Sequence, residues 1–239
     1  MAQKSKASDL NKLLASSLGT NGVAFMYLEY SGVIIKTSTC TIIIDPADLL
    51  KDEEIDVFKQ VDLLLFTHSH GDHYSAKEAL AIFKATGTPI IAEPLVANDL
   101  KAKVPLDKLT SVIPGKTYTF GDIAVNTIIG IHQCPINLYQ IKTAGLGIFH
   151  AGDSGYVPVK DYPSDLAFLP TGIERPFVPS ASPENAFKLA SELKPSVIVT
   201  FHGSVNHSEE LAKKIKEKMP KTTVILTEPY MVKTITLNL

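Results

Sequence analysis

The chain has 239 residues, 45% hydrophobic and 20% charged, the make-up of a soluble globular protein that can bury a sizeable core without cross-links. Its 23 Lys+Arg against 25 Asp+Glu give a formal charge of −2, which gives no reason to expect nucleic acid as a partner and leaves room for a locally basic cleft. Two cysteines, Cys40 and Cys134, make no disulfide framework, and neither an apolar leader over Met1–Leu14 nor a bilayer-length apolar run is visible; the expectation is a cytoplasmic protein that spans no membrane.

Residues 1–22 read as an N-terminal extension and 23–239 as a single domain. Val23–Tyr30, Gly32–Thr37 and Thr41–Asp45 are predicted strands joined by turns at Ser31-Gly32 and Ser38-Thr39. Asp62–Thr67 is a short continuous apolar run, as expected of a strand covered on both faces. A helix follows. Ser75 to Glu78 has capping-box spacing, Ala79, Leu80 and Phe83 give an apolar stripe, and Gly87 is a stop. Pro89–Ala92 and Thr110–Ile113 read as short strands.

Further along, Tyr118–Phe120 and Ile123–Ile129 read as a hairpin turning at Gly121-Asp122. Leu138–Thr143 and Leu146–Phe149 read as another, turning at Ala144-Gly145. Leu166–Leu169 is a buried strand. Ser182 caps a second helix with Pro183 at its first position. Val197–Phe201 is a strand, Ser208–Met219 a third helix with a solvated lysine face, and Thr223–Thr227 and Val232–Leu237 are closing strands. Hairpins in both halves and a few amphipathic helices predict sheets packed together with helices outside, an α+β layered domain.

The chemistry concentrates in Thr67-His68-Ser69-His70-Gly71-Asp72-His73, at the exit of a strand and just before a capped helix. In near-extended backbone His68 and His70 point to one side and can reach one cation. Gly71 permits a turn that presents Asp72 and His73 to a second cation. Two-metal hydrolytic sites hold their ions about 3.5–4 Å apart.

His-x-His-x-Asp-His after a strand resembles the signature of the metallo-β-lactamase superfamily, and the resemblance extends from about Val23 to the C-terminus. His132 follows a strand, Asp153 lies in His-Ala-Gly-Asp-Ser-Gly, and His202 lies in Val-Thr-Phe-His-Gly; these stand where that family has its later ligands. The resemblance implies a four-layer αββα sandwich. It also implies two divalent cations, zinc first and manganese or iron as alternatives. His68, His70 and His132 would hold one, Asp72, His73 and His202 the other, with Asp153 bridging. The implied nucleophile is a hydroxide shared by the metals, with Asp72 accepting a proton after attack. Within the superfamily the pattern looks most like the L-ascorbate-6-phosphate lactonase-like and related β-lactamase-like hydrolases. The substrate expected is an ester, lactone or phosphodiester of a small molecule. A phosphodiesterase or nuclease, a mononuclear-iron dioxygenase and a degenerate binding module on the same fold stay open, as does homo-oligomerisation.

Asp153 alone would read as a turn residue, and His132 and His202 alone as ordinary histidines; their order after the cluster is what sets them apart. Asp45 reads as structural or as orienting a ligand histidine. His150 is expected to be buried beside the metal loop, and Cys134 to be a small core residue, with thiolate ligation as the alternative. Arg175 is either a surface-loop residue or the holder of a substrate carboxylate or phosphate. His207 either caps the last helix or touches substrate.

Overall fold

The computed structural model describes residues 6–172 and 181–237. They form two compact units, one built from the chain up to Val112 together with Glu228–Thr236, the other from Ile113 to Thr227. Each holds one seven-stranded mixed sheet and its own helices, the α+β class expected from the alternating patterns.

In the first unit β1 (Gly22–Tyr27), β2 (Val33–Lys36) and β3 (Thr41–Ile44) form an antiparallel meander. Next, β4 (Leu63–Phe66), β5 (Ile90–Ala92) and β6 (Leu109–Ser111) add in parallel. Four helices accompany them: α1 (Lys6–Ala15), α2 (Asp52–Ile55), α3 (Ala76–Thr86) and α4 (Pro94–Leu100). Side chains of a strand alternate between faces. Accordingly Leu64 and Phe66 of β4 join one core cluster with Ala79 and Ile82 of α3 and Val96 of α4. Leu63 and Leu65 point the other way and are equally buried, which is why this segment reads as an unbroken apolar run.

The second unit repeats the scheme. Strands β7 (Thr117–Phe120), β8 (Ile123–Ile129), β9 (Asn137–Thr143) and β10 (Leu146–His150) run antiparallel. Strands β11 (Leu166–Pro170), β12 (Val197–Phe201) and β13 (Thr223–Leu226) continue in parallel. Leu189 and Leu193 of α5 (Pro183–Leu193) pack with Leu211 and Ile215 of α6 (Val205–Lys218) and Phe149 of β10. The last strand, β14 (Val232–Thr236), returns to the first unit and pairs with β1, Val23 opposite Ile235. Each sheet thus has three antiparallel steps followed by three parallel ones. β14 holds in the first sheet the place β7 holds in the second, a repetition of ladder that no sequence repeat announces.

Local expectations hold in several places. Ser75 accepts the Glu78 N–H, and Gly87 ends α3 in the left-handed region. Ser182 caps α5, with Pro183 at its first position. Ala144 and Gly145 both have positive φ, as a two-residue type I′ hairpin turn requires. Three helices escaped the sequence reading. α1 lies inside the stretch read as an extension, yet Leu10 and Leu13 are buried in the first unit's core; its apolar positions are few among polar residues, so the stripe is weak. α2 spans only one turn. α4 carries a legible signal, Pro94 at its first position behind Glu93 as cap. α6 begins at Val205 rather than Ser208, because Ser204 is its cap and Ser208 is buried within the helix.

Candidate metal centre

β4 ends at Phe66, and the next residues carry the histidine cluster. Thr67, His68 and His73 are fully buried, whereas His70 and Asp72 are half-buried. A turn closes the segment, with the His73 and Tyr74 N–H groups both donating to the His70 carbonyl at 2.9 Å. The His68 and His70 rings lie 4.7 Å apart and the His68 and His73 rings 3.9 Å apart, centroid to centroid. Asp72 Oδ2 stands 3.9 Å from His73 Nε2. The expectation that His68 and His70 share a side is what the backbone delivers in this unit. Behind the turn, Tyr74 packs edge-on against Phe66 and donates its hydroxyl to Asp99 at 2.6 Å. Burial and that carboxylate push the phenol's pKa up.

Asp45, at the exit of β3, is fully buried and accepts three hydrogen bonds. They come from the Thr67 N–H at 2.8 Å, the Thr67 hydroxyl at 2.5 Å and His73 Nδ1 at 2.9 Å. The Thr67 oxygen in turn lies 3.0 Å from His68 Nδ1. Because that hydroxyl gives its proton to Asp45, the His68 Nδ1 must carry the proton shared with Thr67. One carboxylate therefore sets two imidazole tautomers, His73 directly and His68 through Thr67. In both rings the lone pair is left on Nε2, the arrangement that metal-ligating histidines require. A ligand atom from each of Asp45, His68 and His73 lies within 4.8 Å of the others. Asp45 adopts φ +46, and Gly32 keeps the space for it, since a Cβ there would sit 2.9 Å from the Asp45 carbonyl oxygen.

The second unit presents the later residues. His132 follows β8 in a loop tied to the next one: Ile131 N–H donates to Ser154 Oγ at 2.9 Å and Gly155 N–H to the Ile131 carbonyl at 2.9 Å. His132 and Cys134 place a ring nitrogen and Sγ within 4.8 Å of each other. Cys134 is half-exposed, which corrects its reading as a core residue. Asp153, nearly buried, follows β10 in a turn braced by His150. The His150 ring is fully buried, stacks on Phe201 at 5.1 Å and accepts the Gly152 N–H at 3.2 Å. His202, one residue past β12 at φ +46, places Nε2 3.0 Å from Asp153 Oδ2. Thr171 donates its N–H to the Phe201 carbonyl at 2.8 Å and shares a hydroxyl contact with Ser208 at 3.2 Å. A Cβ on Gly203 would lie 2.6 Å from the Thr171 carbonyl carbon, so only glycine allows this close approach beside His202.

In each unit the singled-out residues sit beyond the carboxyl ends of strands. His132 follows β8, whose neighbours are both antiparallel, while Asp45, the histidine cluster, Asp153 and His202 follow strands that have a parallel neighbour. The crevice beyond carboxyl ends is where open α/β sheets bind ligands. His207 does not cap α6; its N–H donates to Ser204 Oγ, which is the cap. Arg175 lies outside the described residues. Thr67 went unnoticed in the sequence although it directly precedes His68, and Ser154 likewise.

The sequence profile described as "Beta-lactamase superfamily domain" matches residues 24–202, three quarters of the chain. The chain belongs to the metallo-β-lactamase superfamily. A UPF0173 metal-dependent hydrolase of Pyrococcus abyssi is 32% identical over 197 residues, covering 76% of this chain and 81% of that protein. Among solved structures, the metallo hydrolase Igni18 of Ignicoccus hospitalis superposes with a TM-score of 0.75 at 22% identity, over 90% of this chain and 98% of that one. The metallo-β-lactamase fold protein YhfI of Bacillus subtilis superposes with a TM-score of 0.68 at 13% identity, over 90% and 100%. Imidazole nitrogens and carboxylate oxygens are donors that divalent metal ions accept, and the buried Nε2 atoms of His68 and His73 fit such an ion. Among the described residues no helix is long and apolar enough to cross a membrane.

Proposed function

We propose that this metal-dependent hydrolase holds two divalent cations, zinc in the first instance. His68, His70 and His132 would take one, Asp72, His73 and His202 the other, and Asp153 would bridge. The substrate would be an ester, lactone or phosphodiester of a small molecule. When bound, such ions acidify a water and polarise the electrophilic oxygen. The chain's own residues supply the rest. Asp45 and Thr67 fix the tautomers of His73 and His68, so both rings offer Nε2. Asp72, whose side chain is 38% exposed, would accept the proton released after attack. Asp153 Oδ2 and His202 Nε2 stand 3.0 Å apart, close enough for both to reach one cation. The resemblance of its motifs to the lactonase-like hydrolases favours a small substrate, and a formal charge of −2 gives no reason to expect a polyanionic one.

The observation that carries this reading is the buried Asp45–Thr67 pair behind two adjacent imidazoles. A merely structural histidine cluster has no need of a carboxylate dictating which nitrogen faces outward. The test is a panel of lactones, thioesters and phosphodiesters assayed with added zinc or manganese, alongside metal analysis of wild type and His70→Ala. Metal content and turnover should fall together in the variant. Wild-type turnover at wild-type metal content in His70→Ala would end the proposal, and iron with oxygen-dependent turnover would transfer it to an oxygenase.

A further inference from the structure

Glu78 is the third residue of α3, where the sequence assigns it to a capping box reaching back to Ser75. It does not do so. Its side chain turns into the protein, 2% exposed, and accepts the Asp48 N–H on Oε2 at 2.8 Å and the Leu50 N–H on Oε1 at 2.7 Å. Both belong to the loop that leaves β3. In that loop Asp45, Ala47 and Asp48 adopt φ of +46, +59 and +60. Non-glycine residues in this region are strained and persist only where the surroundings impose them. The loop's first residue is Asp45, the carboxylate behind His73 and Thr67.

The connections close a circuit. His73 leads through Tyr74 and Ser75 into α3, α3 carries Glu78, Glu78 grips Asp48 and Leu50, and the loop returns through Asp45 to His73 Nδ1. Ser75 adds a weaker link, its hydroxyl 3.4 Å from Asp48 Oδ1. Burying a carboxylate here is costly. Desolvation pushes its pKa up to about 7, opposed by the loop N–H groups and reinforced by the Asp48 carboxylate. An exposed capping position at the same helix end would avoid that cost.

We propose that Glu78 is a positioning residue for the metal centre. By clamping residues 48–50 it holds Asp45 in the left-handed conformation that aims its carboxylate at His73 and Thr67. The link to metal binding rests on the proposed function above; the link to His73 does not.

The test uses the full chain, first without metal. Glu78→Gln is compared with wild type and with Glu93→Gln. Glu93 is another buried glutamate, 1% exposed, but it caps α4 through the Leu95 N–H and has no bond to the Asp45 loop. The readouts are solvent exchange of the His73 Nδ1 proton, followed by NMR, and the zinc Kd from chelator competition. Glu78→Gln should speed that exchange about tenfold or more and weaken zinc about 3- to 10-fold, less than the 10- to 100-fold typical of residues bonded directly to a ligand. Glu93→Gln should lower stability and leave both unchanged. Should Glu78→Gln fail to fold, Glu78→Asp, which withdraws the carboxylate by one methylene, is read the same way. Exchange and Kd unchanged from wild type would overturn the inference. Altered exchange in a protein whose wild type binds no zinc would uphold Glu78 and sink the proposed function instead.

Discussion

Asparagine at position 45 separates charge from shape. The residue sits at φ +46, and asparagine enters that region more readily than most residues, so backbone strain changes little. With the amide oxygen kept toward the Thr67 N–H, the amide NH2 faces the Thr67 hydroxyl and His73 Nδ1. Both must then become acceptors. The His73 proton moves to Nε2, which removes the lone pair a cation would use, and the Thr67 hydroxyl no longer has an acceptor in Asp45. Three charge-assisted hydrogen bonds are weakened in a fully buried site. At roughly 1–3 kcal/mol for a disturbed buried pair, stability should fall by about 2 kcal/mol. Metal affinity should fall 10- to 100-fold, which corresponds to about 1.4–2.8 kcal/mol. Urea unfolding of the metal-free protein and chelator competition with zinc measure the two separately. A zinc Kd within twofold of wild type, in a variant that shows the expected loss of stability, would refute the tautomer argument.

Other outcomes follow from the same structure. Gly203→Ala should destabilise the protein by more than about 2 kcal/mol in urea melts, because its Cβ would press on the Thr171 carbonyl carbon and oxygen at 2.6 and 2.7 Å, backbone atoms that cannot swing aside. Leu13→Ala, in the stretch read as an extension, should cost about 2–5 kcal/mol, since Leu13 is fully buried; a change below about 0.5 kcal/mol would show that α1 is dispensable. The raised pKa of Glu78 means the folded state holds this proton more tightly than the unfolded chain does. Stability should therefore be highest below about pH 4.5 as far as this group is concerned, and fall as pH rises toward 7, by up to roughly 3 kcal/mol. Denaturant midpoints taken across that range should show a flatter profile in Glu78→Gln.

The sequence made the candidate site legible because metal chemistry constrains residue types within a few positions. Three imidazoles and a carboxylate packed into His68–His73 have few structural excuses, and Asp153 and His202 acquire meaning from their order after them. Most strands were legible for a related reason: β-branched runs ended by turn residues leave little choice. What escaped depends on the folded chain. Glu78 has capping-box spacing, and only the loop folded over α3 turns it inward. Thr67 looks like the last residue of a strand until its hydroxyl is seen between Asp45 and His68. α1 has too weak a stripe to stand on its own and is held by the core that buries Leu10 and Leu13. The recurrence of the sheet ladder depends on β14 returning beside β1, a pairing of distant residues that no local pattern encodes.

Anomalous diffraction from crystals of the zinc-loaded protein bears most directly on the central claim. The expected result is a pair of peaks about 3.5–4 Å apart, one ligated by His68, His70 and His132, the other by Asp72, His73 and His202, with Asp153 touching both. No peak beside the His68 and His73 Nε2 atoms at saturating zinc would contradict it.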